Sequence, residues 1–191
     1  MVGTKGASRG ASSDCASMRK TQHGFTLPEL LTAMAIIAIL AGIAIPTMRQ
    51  FSANSRTTAA NNSLVSALAT ARSEAIRRST PVTVCSSTDS ATCANSKTWN
   101  TGWIVFTDGS GTTGKLDGTD VLLQAWSAPS GNVSVGSDQP FLTYDSRGML
   151  FIPANATVTF KTLVTGCRGL NQTQVVVTVG GSPQNTHIAC P

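Results

Sequence analysis

The hydrophobic pattern of the chain changes its period twice. From Leu30 to Met48 there are nineteen residues without a charge, enough for roughly 28 Å of helix, which matches the hydrocarbon thickness of a bilayer. This run is expected to be a single transmembrane span. From Met48 to Arg78 the apolar positions thin to a stripe at Ala60, Leu64, Leu68, Ala71 and Ala75, spaced as one face of a packed helix. Arg49, Arg56, Arg72, Arg77 and Arg78 occupy its remaining surface, opposed only by Glu74. Ser79, Thr80 and Pro81 stop the helix, because proline restricts the residue before it. Phe25 to Arg78 is thus read as one helix, softened at Pro46 and Gly42. Beyond Pro81 the period shortens, and seven β-rich runs bounded by turn residues are expected at 81–86, 103–107, 121–126, 141–144, 149–152, 157–164 and 174–179. One long helix followed by short strands predicts an α+β head with mainly antiparallel sheets.

Composition narrows the class. A chain of 191 residues holds one ordinary domain with an appended segment. The net charge of +5 is largely a property of the first 24 residues: Lys5, Arg9, Arg19 and Lys20 lie there with Asp14, and the remainder is left at +2. The basic balance is therefore weak evidence for nucleic-acid binding. Residues 1–17 cannot build a core and are expected to be disordered. Met18 opens a more compact leader and is a second candidate start, one that would omit Cys15.

Of the five cysteines, Cys85, Cys93, Cys167 and Cys190 follow the apolar run. In an exported domain they form two bridges, for which three connectivities are open. The local pairs, Cys85 with Cys93 and Cys167 with Cys190, are expected because each lies within one hairpin-sized stretch. Zinc is disfavoured by the spacings, the lack of a CxxC pair and the presence of only His187 nearby. No metal or cofactor is expected.

The order of parts at the N-terminus is unusual. A secretory signal carries its apolar region before the cleavage site and loses it on processing, whereas here the basic segment and Gly24 precede the run. Glu29, at its start, is costly inside an apolar helix and calls for a partner or for hydration at the interface. The segment Gly24-Phe25-Thr26-Leu27-Pro28-Glu29-Leu30-Leu31, with Pro46 downstream, resembles the processing signal of type IV pilins and type II secretion pseudopilins. That resemblance implies cleavage by a prepilin peptidase after Gly24, N-methylation of Phe25, and an assembly role for Glu29 opposite the terminal amine of a neighbouring subunit. It divides the chain into a leader, 1–24, a transmembrane and assembly helix, 25–52, and a periplasmic head, 53–191. Arg19 and Lys20 orient the leader toward the cytoplasm of a bacterial inner membrane.

A second resemblance lies in the head. Ala71-Arg72-Ser73-Glu74-Ala75, Val82-Thr83-Val84-Cys85, Cys93, Trp99, Gly102-Trp103-Ile104-Val105-Phe106-Thr107-Asp108 and Asp120 are similar to the FimT/GspH family of minor pilins and pseudopilins. This implies a pilin-like fold and a structural role in the initiation or tip of a type IV pilus, with other major and minor subunits as partners. Two alternatives stay open, a minor pseudopilin of type II secretion and a DNA-binding minor pilin of natural transformation.

Other chemistry is thinly represented. Asp108, Asp117 and Asp120 lie among glycines but lack the spacing of a calcium loop. Nucleophilic catalysis needs a base beside a Ser or Cys, and after processing only His187 remains, so no catalytic residue is expected. Some relatives in this family meet DNA through basic residues in a C-terminal turn. The corresponding turn here, Gly180-Gly181-Ser182-Pro183-Gln184, has none, which leaves Arg147, Lys161 and Arg168 as a scattered candidate patch for phosphate contacts. Trp99, Trp103 and Trp126 are read as core or strand-face residues.

Overall fold

The computed structural model describes residues 25–151, 157–165 and 172–191. Helix α1 spans Leu27–Arg78 and continues through Pro46. Nine strands follow: β1 Val82–Ser86, β2 Gly102–Thr107, β3 Leu122–Ser127, β4 Val133–Ser137, β5 Phe141–Tyr144, β6 Leu150–Phe151, β7 Thr157–Val164, β8 Gln172–Thr178 and β9 Pro183–Ile188. The chain divides into two units, Met1–Ala44 and Ile45–Pro191. In the first, the large apolar side chains of the described residues are exposed, Ile37 and Ile43 among them.

The second unit holds two antiparallel sheets, ordered β3-β2-β1-β5-β6 and β4-β7-β8-β9. The predicted helical stripe is the floor of their core: Ala60, Leu64, Leu68, Ala71 and Ala75 are all buried, and Ala67 joins them. They pack with Val82, Val84 and Leu142 of one sheet and Phe160, Val175 and Val177 of the other. Small alanines on the stripe let the helix approach both sheets closely. The helix ends as expected, with Ser79 at a positive φ of 52° and its N–H donating to the Ile76 carbonyl, a left-handed cap before Pro81.

Two strands, β4 and β9, form where the hydrophobic pattern predicts none. β4 has alternating valines broken by Gly136, and β9 reads Pro-Gln-Asn-Thr-His-Ile with almost no β propensity. Each forms because a neighbour supplies the pairing: β7 templates β4 over five residues, and β8 templates β9 from Val177↔Pro183 to Gln172↔Ile188. Pro183 is tolerated at the start of an edge strand, where a missing N–H is least costly. The turn expected at Gly180–Pro183 does precede it, with Gly181 at φ 75°.

Cys85 and Cys93 are bridged across a Cα–Cα distance of 5.6 Å. Cys190 is also disulfide-bonded. Its expected partner Cys167 lies outside the described residues, as do residues 1–17 and Ile152. The Cys85–Cys93 bridge belongs to a second, smaller core with Ile104 and Phe106, against which Leu116 and Phe141 pack.

The 108–120 loop is ordered by its own carboxylates. Asp120 accepts bonds from the Gly109 and Ser110 N–H groups at 3.1 and 3.3 Å, and buried Asp108 accepts from Thr83 Oγ1 and from the Gly114 N–H at 2.8 Å. No cluster of three or more metal-ligating side chains occurs among the described residues. Burial pushes the Asp108 carboxyl above its ordinary range, and the charges of Asp120 and Asp117 push the same way, against the bonds from Thr83 and Gly114. The folded chain therefore holds the Asp108 proton more tightly than the unfolded chain does. Its contribution to stability falls as pH rises from the unfolded carboxyl value, about 3.9, through the raised folded value. Thermal melts of wild type and Asp108→Asn between these limits are expected to show a smaller loss in the variant; parallel curves would refute the assignment.

Candidate functional site

The start of α1 is built by local rules. Thr26 stands one residue before the helix, its carbonyl accepting the Leu30 N–H at 3.1 Å. Glu29 reaches back so that its Oε2 accepts the Thr26 N–H at 3.4 Å. Thr26-x-x-Glu29 thus forms the carboxylate half of a capping box, a local signal that Glu29 carries beside its expected assembly role. Pro28 adds no penalty, since first-turn N–H groups lack intrahelical acceptors anyway. Thr32 Oγ1 donates to the Glu29 carbonyl at 2.9 Å.

Glu29 accordingly sits at the positive end of the helix, where a carboxylate is favoured, yet it has no cationic side chain as partner among the described residues. Phe25 is 82% exposed beside it. Gly24, the expected processing position, lies outside the described residues. The apolar part of α1 meets the length and composition needed to cross a bilayer.

Of the candidate phosphate-contact residues, the two that are described, Arg147 and Lys161, lie on different sheets. Arg147, in the β5–β6 turn, is neutralised by Asp145 at 2.8 Å. Its guanidinium and the Met149 and Arg147 N–H groups help hold the Asp145 carboxyl below its ordinary range against a burial penalty. Lys161 lies in β7 of the other sheet, opposite Gly136 and Gln174, on the wall of a shallow groove of about 570 Å³. Arg168 is outside the described residues. On the helix, Arg77 and Arg78 both bind Glu74, and those two bonds hold its carboxyl below the ordinary range.

Arg72 has a different task, which spacing alone did not reveal. Its Nε donates to the Gly148 carbonyl at 3.0 Å, Nη1 to Ser182 Oγ at 2.9 Å and Nη2 to the Gly180 carbonyl at 3.0 Å. One side chain thus ties α1 to the β5–β6 and β8–β9 turns, one from each sheet. The turns meet so closely that a Cβ on Gly181 would lie 2.2 Å from the Gly148 carbonyl oxygen.

Comparison with known proteins agrees with this architecture. The model of the prokaryotic N-terminal methylation motif matches residues 19–45. Two fimbrial proteins of Pseudomonas aeruginosa are 51% identical over 57 residues, 30% of this chain. The match spans 36% of the length of these curated relatives. Crystal structures of the Pseudomonas aeruginosa type IV minor pilin FimU, in two crystal forms, share the fold with TM-scores of 0.51. The first covers 68% of this chain and 91% of that one at 19% identity, the second 76% and 93% at 17%. The model described as Type II transport protein GspH matches residues 60–182, well over half of the chain, and this protein belongs to that family.

Proposed function

We propose that this chain is a minor pilin, a structural subunit that enters a type IV pilus at its initiation complex or tip. The observation that carries the reading is the union, in one chain, of the methylation motif at 19–45 with a head of the GspH family at 60–182. The FimU likeness in fold and the sequence match to fimbrial proteins support it. In this reading a prepilin peptidase cuts after Gly24 and the Phe25 amine is methylated. Residues 25–52 anchor the protein in the inner membrane, with residues 53–191 as the periplasmic head. Other pilins are its partners, and assembly transfers the exposed apolar helix from lipid to a bundle of like helices. The role is structural, with no catalytic step.

Glu29 is then placed to exchange its weak contact with Thr26 for the terminal amine of a neighbour, an attraction strengthened as both groups leave water. Glu29→Ala is expected to remain processed and membrane-bound while its copies in purified filaments fall by about tenfold or more, because losing one partner of a buried charge pair costs several kcal/mol. Quantitative immunoblots of membrane and filament fractions measure this. Wild-type incorporation of the variant would defeat the proposal. The family description favours a second reading, a minor pseudopilin of type II secretion. Deleting the chain would then block export of folded periplasmic proteins instead of reducing surface pili.

A further inference from the structure

Among the α1 arginines whose side chains are described, Arg56 is the one for which neither the fold nor the assembly helix supplies a purpose. It makes no ion pair or hydrogen bond with the described residues. Its side chain lies over the turn before β4, where a Cβ on Gly131 would come within 2.9 Å of its Cδ and Nη1. There it forms one wall of a pocket of about 270 Å³ whose other polar groups are Ser63, Ser127 and Ser130, with Trp103 as an aromatic wall. Alanines and Pro129 complete the lining, and no acidic residue takes part. The Trp103 indole N–H is buried without an acceptor among the described residues.

We propose that this pocket is an oxyanion site that receives a carboxylate side chain from a neighbouring subunit. The lining favours such a guest: a guanidinium offers a planar fork of donors matched to a carboxylate, three serine hydroxyls can turn to donate, and nothing in the wall repels negative charge. The volume admits the end of an Asp or Glu side chain and excludes a folded element. Position distinguishes the source of the anion. Arg56 lies eight residues beyond Met48, about 12 Å of helix rise. The headgroup layer of a bilayer adds only about 5–8 Å on each side of the hydrocarbon. The pocket therefore stands beyond lipid phosphates and within reach of another protein head.

This inference rests on the pilin reading for the identity of the partner, and its test does not depend on assembly. The full chain in detergent is titrated with N-acetyl-glutamate N-methylamide, with the glutamine analogue and with glycerol phosphate at matched ionic strength, following the melting temperature. The glutamate probe is expected to raise the melting temperature with concentration, as any ligand of the native state does. The glutamine analogue is expected to leave it unchanged, and glycerol phosphate, which the same guanidinium fork can also hold, is expected to raise it no more than the glutamate probe does. Arg56→Gln is expected to weaken the response by about tenfold, the usual size for a charge-assisted bond. Arg56 is exposed, so the variant folds, and its unliganded melt verifies this. A larger response to glycerol phosphate than to the glutamate probe would overturn the proposal in favour of a lipid or free phosphate, as would no response to any probe or an undiminished response in Arg56→Gln. Failure of Glu29→Ala to affect filaments would instead count against the pilin role while leaving this titration unchanged.

Discussion

Arg72→Ala is expected to lower the stability of the folded chain by about 2–4 kcal/mol, the range for losing a multiply bonded charged side chain at a part-buried site. The bond to the Gly148 carbonyl, at 3.0 Å, is part-buried, whereas those to Gly180 and Ser182 are more exposed. Water can replace the latter two after truncation, so most of the loss comes from the Gly148 contact. Tyr144 also depends on this corner. Its hydroxyl is buried with no partner among the described residues, and burial holds the phenol well above its ordinary pKa, with the nearby Arg72 charge opposing. Lysine cannot reproduce a fork serving three acceptors, so Arg72→Lys recovers only part of the difference. For a chain of this size the loss corresponds to roughly 2–4 °C in melting temperature per kcal/mol. Thermal and urea melts of the full chain in detergent measure it; a variant within about 0.5 kcal/mol of wild type would show that the two turns hold together without the clamp.

Trp99→Ala is expected to have the largest effect of any single substitution considered, about 3–5 kcal/mol. Trp99 has no exposed surface and is the first of the large fully buried side chains. Its ring meets Phe160 edge-on at 5.0 Å and Trp103 at 6.4 Å, while its backbone N–H donates to the Val135 carbonyl at 2.8 Å. The β1–β2 connection thus leaves the first sheet, pairs Thr98 with Gly136 of β4 in the second, and inserts its indole between them. Truncation removes the packing that joins the sheets and leaves a cavity too apolar to hold water usefully. Trp99→Phe should recover much of the loss, because the indole N–H has no acceptor among the described residues and its removal leaves no partner stranded. If Trp99→Ala cost under about 1 kcal/mol, well below the range for a packed core aromatic, the loop would not be the link between the sheets.

The legible and illegible parts of the fold differ in the range of the forces that make them. The stripe from Ala60 to Ala75 was readable because helical period is local, and every one of its five positions is buried. Strands rich in Val, Ile and aromatic residues, such as β2 and β7, stand where alternation and propensity put them, within a residue or two. β9 was not readable, since Gln184, Asn185 and Thr186 favour no strand until Val176, Val175 and Gln174 present unpaired backbone to them. At the candidate site the pattern singled out Gly24, Phe25 and Glu29, and the capping contact to Thr26 was also written locally. The clamp at Arg72 and the pocket at Arg56 were not, because each draws on residues more than 60 positions away.

By itself the sequence determined the apolar N-terminal run, the methylation motif, the helix and the family, since charge order, hydrophobic length and turn chemistry act between near neighbours and are independent of tertiary context. Only the tertiary structure decided what the described arginines do. Arg72, Arg77 and Arg147 find partners in the folded chain while Arg56 is left facing a donor-lined pocket. The reason is physical: a long charged side chain takes its meaning from the groups within about 4 Å of its end, and those groups are brought there by sheet pairing across distant parts of the chain.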